Sequence, residues 1–198
     1  MATSRRAARA TRVRPVAPRG TLFLVVGPSG AGKDSLLRAA RTDLEHDGDF
    51  VFAQRTITRP LDPDREDHEP VSPEEFLTRA ERGKFMLSWR VYDTDYGIST
   101  GYEDELAAGN NVVANVSRTV VAAGFAYYSP TRVIQITAPR EVLEARLQAR
   151  ADPATAAARL ARAVVLPDGV PVTHLLNAGD IHTGSARLVR LLTKNQQG

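Results

Sequence analysis

Cysteine is absent from the 198-residue sequence, and its apolar stretches are short. Without cysteine, disulfide bonds, thiolate metal sites and cysteine nucleophiles are excluded. No apolar run approaches the roughly 20 residues that span a bilayer, and no apolar core of a signal peptide is present. The four histidines do not show the spacing of a metal site. These absences predict a soluble, cytoplasmic protein that does not act on a membrane.

Acidic residues are missing from residues 1–20, which contain six arginines. The rest of the chain has 20 lysines and arginines against 23 acidic residues, a formal charge of −3. Because residues 1–20 show no apolar period, we predict a disordered basic tail in front of a mildly acidic domain. The tail could contact nucleic acid or act as an organelle transit peptide. A solvated extension is the favoured interpretation, and a nucleic-acid partner is not expected.

A phosphate-binding loop is the strongest signal that the sequence does contain. An apolar run at residues 22–26 predicts a strand buried on both faces, and the skeleton G-x-x-x-x-G-K follows at residues 27–33. Apolar residues at helical spacing come next. Glycines let successive N–H groups point at one anion, and the helix dipole faces the same phosphates. The alternative is a glycine-rich turn that binds no ligand. Such a turn needs neither a buried strand before it nor a helix directly after it, and this sequence has both. The predicted ATP-binding residues are Gly27, Pro28, Ser29, Gly30, Ala31, Gly32, Lys33, Asp34 and Ser35.

The residue after the loop lysine departs from the plain motif. Lys33 is predicted to act in catalysis by placing its charge on the β- and γ-phosphates. Serine or threonine usually follows and ligates Mg²⁺, but here Asp34 follows and Ser35 comes one residue later. Since one residue turns a helix by about 100°, Ser35 does not simply substitute. Asp34 could bind Mg²⁺ directly or through water, or it could be a first-turn acid stabilised by the helix dipole. The sequence leaves both alternatives open.

Strands alternate with helices along the rest of the chain, which predicts an α/β fold with a parallel sheet covered on both faces. Residues 61–70 are predicted to be a loop, and residues 72–82 a helix. In such sheets ligands bind beyond the carboxyl ends of the strands, where the phosphate loop, Arg59, Asn115 and Asn177 are expected. The five predicted strands span residues 22–26, 50–58, 112–115, 133–136 and 170–176. Two short strand-like pieces are predicted at 85–89 and 96–98, and later helices at 102–108, 141–150, 155–166 and 185–192.

Four arginines flank a proline break in the second half of the chain. Arg146 and Arg150 share one helix face, and Arg159 and Arg162 share another. Two helical arms with arginines predict a lid, at about residues 148–162, because guanidinium groups hold phosphate oxygens well. Arg150 and Arg159 are then the predicted catalytic residues of the lid. A solvated basic helix surface is the alternative.

Several motifs together resemble a known family of kinases. The segments GPSGAGK, TITRP, YGIS and RL…R…ARLARA resemble the guanylate-kinase-like branch of the nucleoside monophosphate kinases. Within that branch the sequence looks most like the ribose 1,5-bisphosphate phosphokinase family, over roughly residues 21–192. The segments that carry this closer resemblance are GKDSLL at 32–37, ITR at 57–59 with EDH at 66–68, LSW at 87–89 and NVSR at 115–118.

The resemblance implies a P-loop kinase domain at residues 21–194, with an acceptor-binding insert at about residues 55–100. It implies transfer of a phosphoryl group from ATP, with Mg²⁺, to ribose 1,5-bisphosphate. The product would be 5-phosphoribosyl 1-pyrophosphate, formed in phosphonate breakdown. The family usually has Glu-Asn-His where this chain has Glu-Asp-His at 66–68, and its lid has an arginine that residues 150–153 lack. The implied acceptor-binding residues are Arg59, Tyr96, Asn115, Ser117 and Arg118.

Two other functions compete with this interpretation. One is a guanylate kinase or another nucleotide kinase, and the other is a non-catalytic guanylate-kinase-like interaction module. An intact Lys33 argues against the module. Guanylate kinases read guanine with two acidic side chains, and the corresponding positions here hold Ser88 and Asn115. A homodimer is compatible with the sequence, which does not determine the oligomeric state.

Overall fold

The computed structural model describes residues 20–61, 67–149, 157 and 165–194. The predicted basic tail lies outside the described residues except for Gly20, whose N–H donates to the carbonyl of Leu106 at 2.9 Å. Most of the predicted lid also lies outside them, including Arg150, Arg159 and Arg162. Within the described ranges no helix is both long and apolar enough to cross a membrane.

Nine strands and six helices are described. The strands are β1 Leu22–Val26, β2 Phe50–Phe52, β3 Arg55–Ile57, β4 His68–Pro70, β5 Phe85–Val91, β6 Thr94–Ser99, β7 Asn111–Asn115, β8 Thr131–Thr137 and β9 Val172–Leu176. The helices are α1 Lys33–Asp43, α2 Pro73–Glu81, α3 Tyr102–Ala108, α4 Val121–Tyr127, α5 Arg140–Gln148 and α6 Ile181–Thr193. A 3₁₀ turn at Arg118–Val120 leads into α4.

The central sheet has five parallel strands in the order β2-β7-β1-β8-β9. All residues of β1 are buried, as its apolar run predicts. Alternate residues of β1 enter two separate cores, since Leu24 packs with α3 and α4 while Phe23 packs with α1 and α6. Helices therefore cover both faces, and the predicted α/β fold with a five-stranded parallel sheet is confirmed.

A second sheet of four strands, in the order β4-β3-β6-β5, is built from residues 55–99. The prediction of one strand over residues 50–58 is wrong, because Phe50–Phe52 pairs with β7 in the central sheet whereas Arg55–Ile57 pairs with β6. Apolar residues in a sequence indicate that a strand is buried, but they do not indicate which strand it pairs with. The prediction of a loop over residues 61–70 is also wrong at its end, where His68–Pro70 pairs with β3.

Helix α2 covers one face of the second sheet. Its start is the predicted one, since the Ser72 hydroxyl accepts from the Glu75 N–H at 3.1 Å. The ring of Phe76 stacks on Phe85 with centroids 4.6 Å apart, and Arg79 donates to Glu69 at 2.8 Å. Partial burial alone would raise the pKa of Glu69, but hydrogen bonds from Arg79 and Thr56 outweigh it and hold that pKa below its usual value. Helix α2 is thereby fixed to the second sheet, while Met86, Leu87 and Ile98 of that sheet pack into the core around β1.

Two later helices differ from their predictions. The last helix begins at Ile181 rather than residue 185, because Asp180 caps it by accepting from the Thr183 N–H at 2.9 Å. Of the helix predicted at 155–166, Ala157 is helical, the last two residues are not, and the remainder lies outside the described residues.

Candidate active site

The phosphate loop connects β1 to α1 through two glycines whose backbone angles and close contacts disfavour any other residue. Gly27 and Gly32 have φ angles of 151° and 85°. A Cβ on Gly27 would lie 2.1 Å from the carbonyl oxygen of Ile136, and a Cβ on Gly32 would lie 2.5 Å from Nδ2 of Asn177. The loop therefore wraps tightly against β8 and the end of β9, with backbone dihedrals that side chains rarely adopt.

The start of α1 differs from the starts of α2 and α6 in having no side-chain cap. Gly32 occupies the cap position and offers no side chain, whereas Ser72 and Asp180 cap the other two helices. The first-turn N–H groups of α1 thus lack a side-chain acceptor. An anion such as a phosphate satisfies such groups and is favoured by the helix dipole.

Three side chains donate hydrogen bonds to carbonyl groups of the phosphate loop. Nζ of Lys33 donates to the carbonyl oxygens of Gly27 at 3.0 Å and Pro28 at 3.1 Å, so the ammonium lies over the loop. Asn177 donates to the carbonyl of Ala31 at 2.8 Å. Arg146 donates to the carbonyl of Gly30 at 3.4 Å. One of the arginines near the predicted lid thus reaches the phosphate loop from α5.

Two cavities open on different faces of α1. The helix contributes residues 35 and 36 to the first cavity, and residues 34, 37, 38 and 41 to the second. Gly32 of the phosphate loop lines the first cavity, and Asp34, the second residue of α1, lines the second. The first, of about 200 Å³, is lined by Gly32, Ser35, Leu36, Arg146, Asn177, Gly179 and Ile181. The second, of about 240 Å³, is lined by Asp34, Leu37, Arg38, Arg41, Phe52, Ala53, Gln54, Arg55, Asp67, Val113 and Asn115.

Asp34 joins the phosphate loop to the second cavity. Its Oδ1 accepts from Nη2 of Arg55 at 2.6 Å and from Nδ2 of Asn115 at 2.8 Å. The Arg55 side chain is only 12% exposed. Asn115, at the end of β7, is 6% exposed, and its Oδ1 has no hydrogen-bond partner among the described residues. The sequence predicts Asp34 to lie at the nucleotide, and the fold also gives it two hydrogen-bond partners at the second cavity.

The donor set around Asp34 fits a magnesium ion. Both hydrogen bonds from the described residues go to Oδ1, and none goes to Oδ2. The side chain is 41% exposed, and a carboxylate has about four lone-pair sites. One oxygen of Asp34 is thus able to bind Mg²⁺ or a water on it while the other keeps Arg55 in place.

The other predicted acceptor residues lie outside the lining of the second cavity. Tyr96 stacks on Trp89 with ring centroids 5.4 Å apart and an interplanar angle of 5°. Ser117 caps the 3₁₀ turn by accepting from the Thr119 N–H at 3.3 Å. Arg59 follows β3, and its carbonyl accepts from Nε2 of His68 at 3.0 Å. Arg118 is the first residue of the 3₁₀ turn and is half-buried, and among the five only Asn115 lines the cavity.

Sequence reasoning missed the arginines of the second cavity. Arg55 is the first residue of β3, where the chain passes from the central sheet into the insert. An arginine within an otherwise apolar, β-branched run was the available signal, because a charge inside a strand needs a buried partner. Arg38 and Arg41 belong to the exposed stripe of α1, where a solvated surface is the ordinary interpretation.

The comparison with solved structures agrees with this architecture. The chain superposes on a guanylate kinase from Anaplasma phagocytophilum with a TM-score of 0.65 and 19% identity, over 91% of this chain and 88% of that one. At this identity the likeness shows the fold alone. The fold and the loop place the chain in the guanylate-kinase-like class of P-loop folds. No family model matches the chain.

The comparison with curated proteins is more specific. A ribose 1,5-bisphosphate phosphokinase of Acidiphilium cryptum is 51% identical over 146 residues, 73% of this chain and 77% of the relative. One from Rhodopseudomonas palustris is 43% identical over 163 residues, 81% of this chain and 82% of the relative. The chain belongs to the ribose 1,5-bisphosphate phosphokinase family.

Some members of the similar set are longer. A bifunctional ribose 1,5-bisphosphokinase-thymidine phosphorylase of Cupriavidus necator is 44% identical over 176 residues. That match includes 87% of this chain and only 29% of the relative, so the chain spans less than a third of that protein. The match concerns one portion of the bifunctional protein.

Proposed function

We propose that this chain transfers the γ-phosphoryl group of ATP to the 1-phosphate of ribose 1,5-bisphosphate. The products are ADP and 5-phosphoribosyl 1-pyrophosphate. The observation that carries the proposal is the intact phosphate loop before α1, whose two faces line separate cavities, in a chain 51% identical to a relative named for this reaction. A non-catalytic module has no need for a lysine whose ammonium lies at the carbonyls of a phosphate loop.

The chain's own groups support the transfer by position and charge. Loop N–H groups and the α1 terminus hold the ATP phosphates, and Lys33 and Arg146 add positive charge beside them. An oxygen of the acceptor 1-phosphate attacks the γ-phosphorus while the bond to the β–γ bridging oxygen breaks, and that electron pair leaves with ADP. Mg²⁺, when bound near Asp34, would neutralise charge on the β- and γ-phosphates.

A coupled assay of ADP formation tests the function directly. We expect ADP to form only when ATP, Mg²⁺ and ribose 1,5-bisphosphate are all present, with 5-phosphoribosyl 1-pyrophosphate found by mass spectrometry in equal amount. ADP without the pyrophosphate product would mean that the protein is an ATPase or uses another acceptor.

The cytoplasmic location and the compatibility with a homodimer stay predictions.

Asp34→Ala is expected to weaken the dependence of the reaction on Mg²⁺. The physical reason is the loss of the hard oxygen donor next to Lys33. A Mg²⁺ titration of kcat in Asp34→Ala and Asp34→Asn measures the shift, with Asp43→Asn at the far end of α1 as the control. An unchanged titration midpoint in both Asp34 variants would leave only the dipole and positioning roles.

The lid stays a proposal, since Arg150 and Arg159 lie outside the described residues. As arginine fingers they would stabilise charge on the transferred group, so alanine at either position should lower kcat far more than it raises the KM for ATP. Steady-state kinetics over an ATP series separates the two parameters. A loss confined to KM, or no loss, would favour a solvated basic surface and agree with the arginine missing from residues 150–153.

A further inference from the structure

We propose that the second cavity, between α1 and the β2–β3 connection, binds the phosphate of the acceptor that does not react, with Arg55 as its principal ligand. The inference rests on the proposed function, because it concerns an acceptor with two phosphates. It assigns a separate place to each: the reacting phosphate at the loop, and the other phosphate in this cavity. The location follows from Asp34, which comes directly after Lys33 in the chain and lines the second cavity, where it accepts from Arg55 and Asn115.

The charge of the cavity favours an anion. Its lining contains three arginines, Arg38, Arg41 and Arg55, and two acids. Both acids are already hydrogen-bonded: Asp34 to Arg55 at 2.6 Å, and Asp67 to Arg41 at 3.2 Å. Among the described lining residues the three arginines therefore outnumber the two acids, and each of these two acids has a cationic partner. A phosphate dianion matches this environment, and the planar guanidinium holds phosphate oxygens in a forked arrangement.

Arg55 is the arginine best placed to act on such an anion. Its side chain is 12% exposed, compared with 63% for Arg41 and 63% for Arg90. A charge that is partly removed from water interacts more strongly with a ligand than a solvated charge does. The hydrogen bond that Arg55 donates to Asp34 fixes the guanidinium at the cavity. Little side-chain entropy is therefore lost when a phosphate binds.

Asn115 adds an independent sign that a ligand belongs here. Its Nδ2 donates to the Asp34 carboxylate, which fixes the orientation of the amide and leaves Oδ1 as a buried acceptor without a partner among the described residues. A phosphate dianion cannot donate to Oδ1, but a sugar hydroxyl can. A cavity with cationic donors and one orphaned acceptor fits a hydroxylated sugar that has a phosphate.

A comparison of two acceptors tests the assignment. Ribose 1-phosphate has the reacting phosphate but not the second one. We expect the wild-type protein to prefer ribose 1,5-bisphosphate in kcat/KM, and Arg55→Met to reduce that preference by about 30-fold or more. The KM for ATP should stay within about twofold. Arg90→Met is the matched control, because Arg90 also forms a 2.6 Å ion pair with an aspartate in the same sheet but lies outside the cavity.

The acceptor ratio distinguishes binding from damage to the fold. If Arg55→Met lowers kcat/KM equally for both acceptors, Arg55 does not read the second phosphate and the proposal is overturned. Arg55→Lys, which keeps the charge without the fork, should retain part of the preference. Circular dichroism melting of each variant, alongside Arg90→Met, checks that the fold is intact.

Calorimetric titration with ribose 5-phosphate keeps this question apart from the proposed function. This probe has the second phosphate but no 1-phosphate to react. If the wild-type protein does not convert ribose 1,5-bisphosphate, the proposed function fails, and the titration still decides the subsite. Binding by the wild-type protein that Arg55→Met loses supports the subsite, whereas equal binding by both, or none by the wild type, overturns it.

Discussion

Lys33→Ala is expected to lower kcat for phosphoryl transfer by about 100- to 1,000-fold, the effect of removing one fixed charge from a transition-state site. The ammonium lies over the phosphate loop, with Nζ 3.0 and 3.1 Å from two loop carbonyls. Its side chain is half-buried and belongs to neither hydrophobic core. The substitution should therefore remove charge from the transferred group without opening a cavity.

The measurement is single-turnover phosphoryl transfer at saturating ATP, together with thermal unfolding. Lys84→Ala is the control, because Lys84 is exposed and lies before β5, outside both cavities. We expect the control to match the wild type in both rate and melting temperature. Near-normal transfer by Lys33→Ala would mean that the active site is elsewhere in the chain.

GMP is expected to be at least about a hundredfold poorer than ribose 1,5-bisphosphate as an acceptor. Guanine presents adjacent N–H donors that need acceptors, and each donor left poorly paired in a buried site costs about 1–3 kcal/mol. Two such losses correspond to about two powers of ten or more in kcat/KM. The two acids of the second cavity, Asp34 and Asp67, already accept from Arg55 and Arg41. Guanine would have to displace those ion pairs.

The two positions that are acidic in guanylate kinases differ in their location here. Ser88 is exposed and does not line the second cavity, while Asn115 does. Asn115 offers one neutral acceptor where a carboxylate would offer two. GMP and ribose 1,5-bisphosphate should be compared at equal concentration in the coupled ADP assay, with AMP as a further nucleotide control. A GMP rate that equals or exceeds the bisphosphate rate would overturn the assignment in favour of a nucleotide kinase.

Local signals were enough to predict the central sheet and the phosphate loop. The apolar run of β1 requires burial on both faces, and the glycines before Lys33 allow a backbone that other residues cannot adopt. The N-cap of α2 and the glycine at the end of α3 are local in the same sense. Each of these features depends on residues within about one turn or one strand of one another, so spacing alone reveals them.

The spacing of residue types along the sequence does not predict which distant segments pair with each other. Residues 50–58 resemble one strand with an apolar start and a polar end, but Phe52 belongs to the central sheet and Arg55 to the insert. The charge-rich segment before residue 70 looked like a loop, yet His68 is buried and pairs with Arg55. Strand pairing depends on the partner that the rest of the fold provides, and one sequence does not contain that information.

The sequence by itself determined that this chain has a phosphate loop on a buried parallel strand, and its resemblance to a family indicated the acceptor. Only the tertiary structure decided what surrounds Asp34. It brings Arg55 from the insert and Asn115 from β7, which are 21 and 81 positions away in the chain, to a single carboxylate oxygen. The reason is physical: hydrogen bonds and ion pairs act over a few ångströms in space, and the fold alone determines which distant residues come that close.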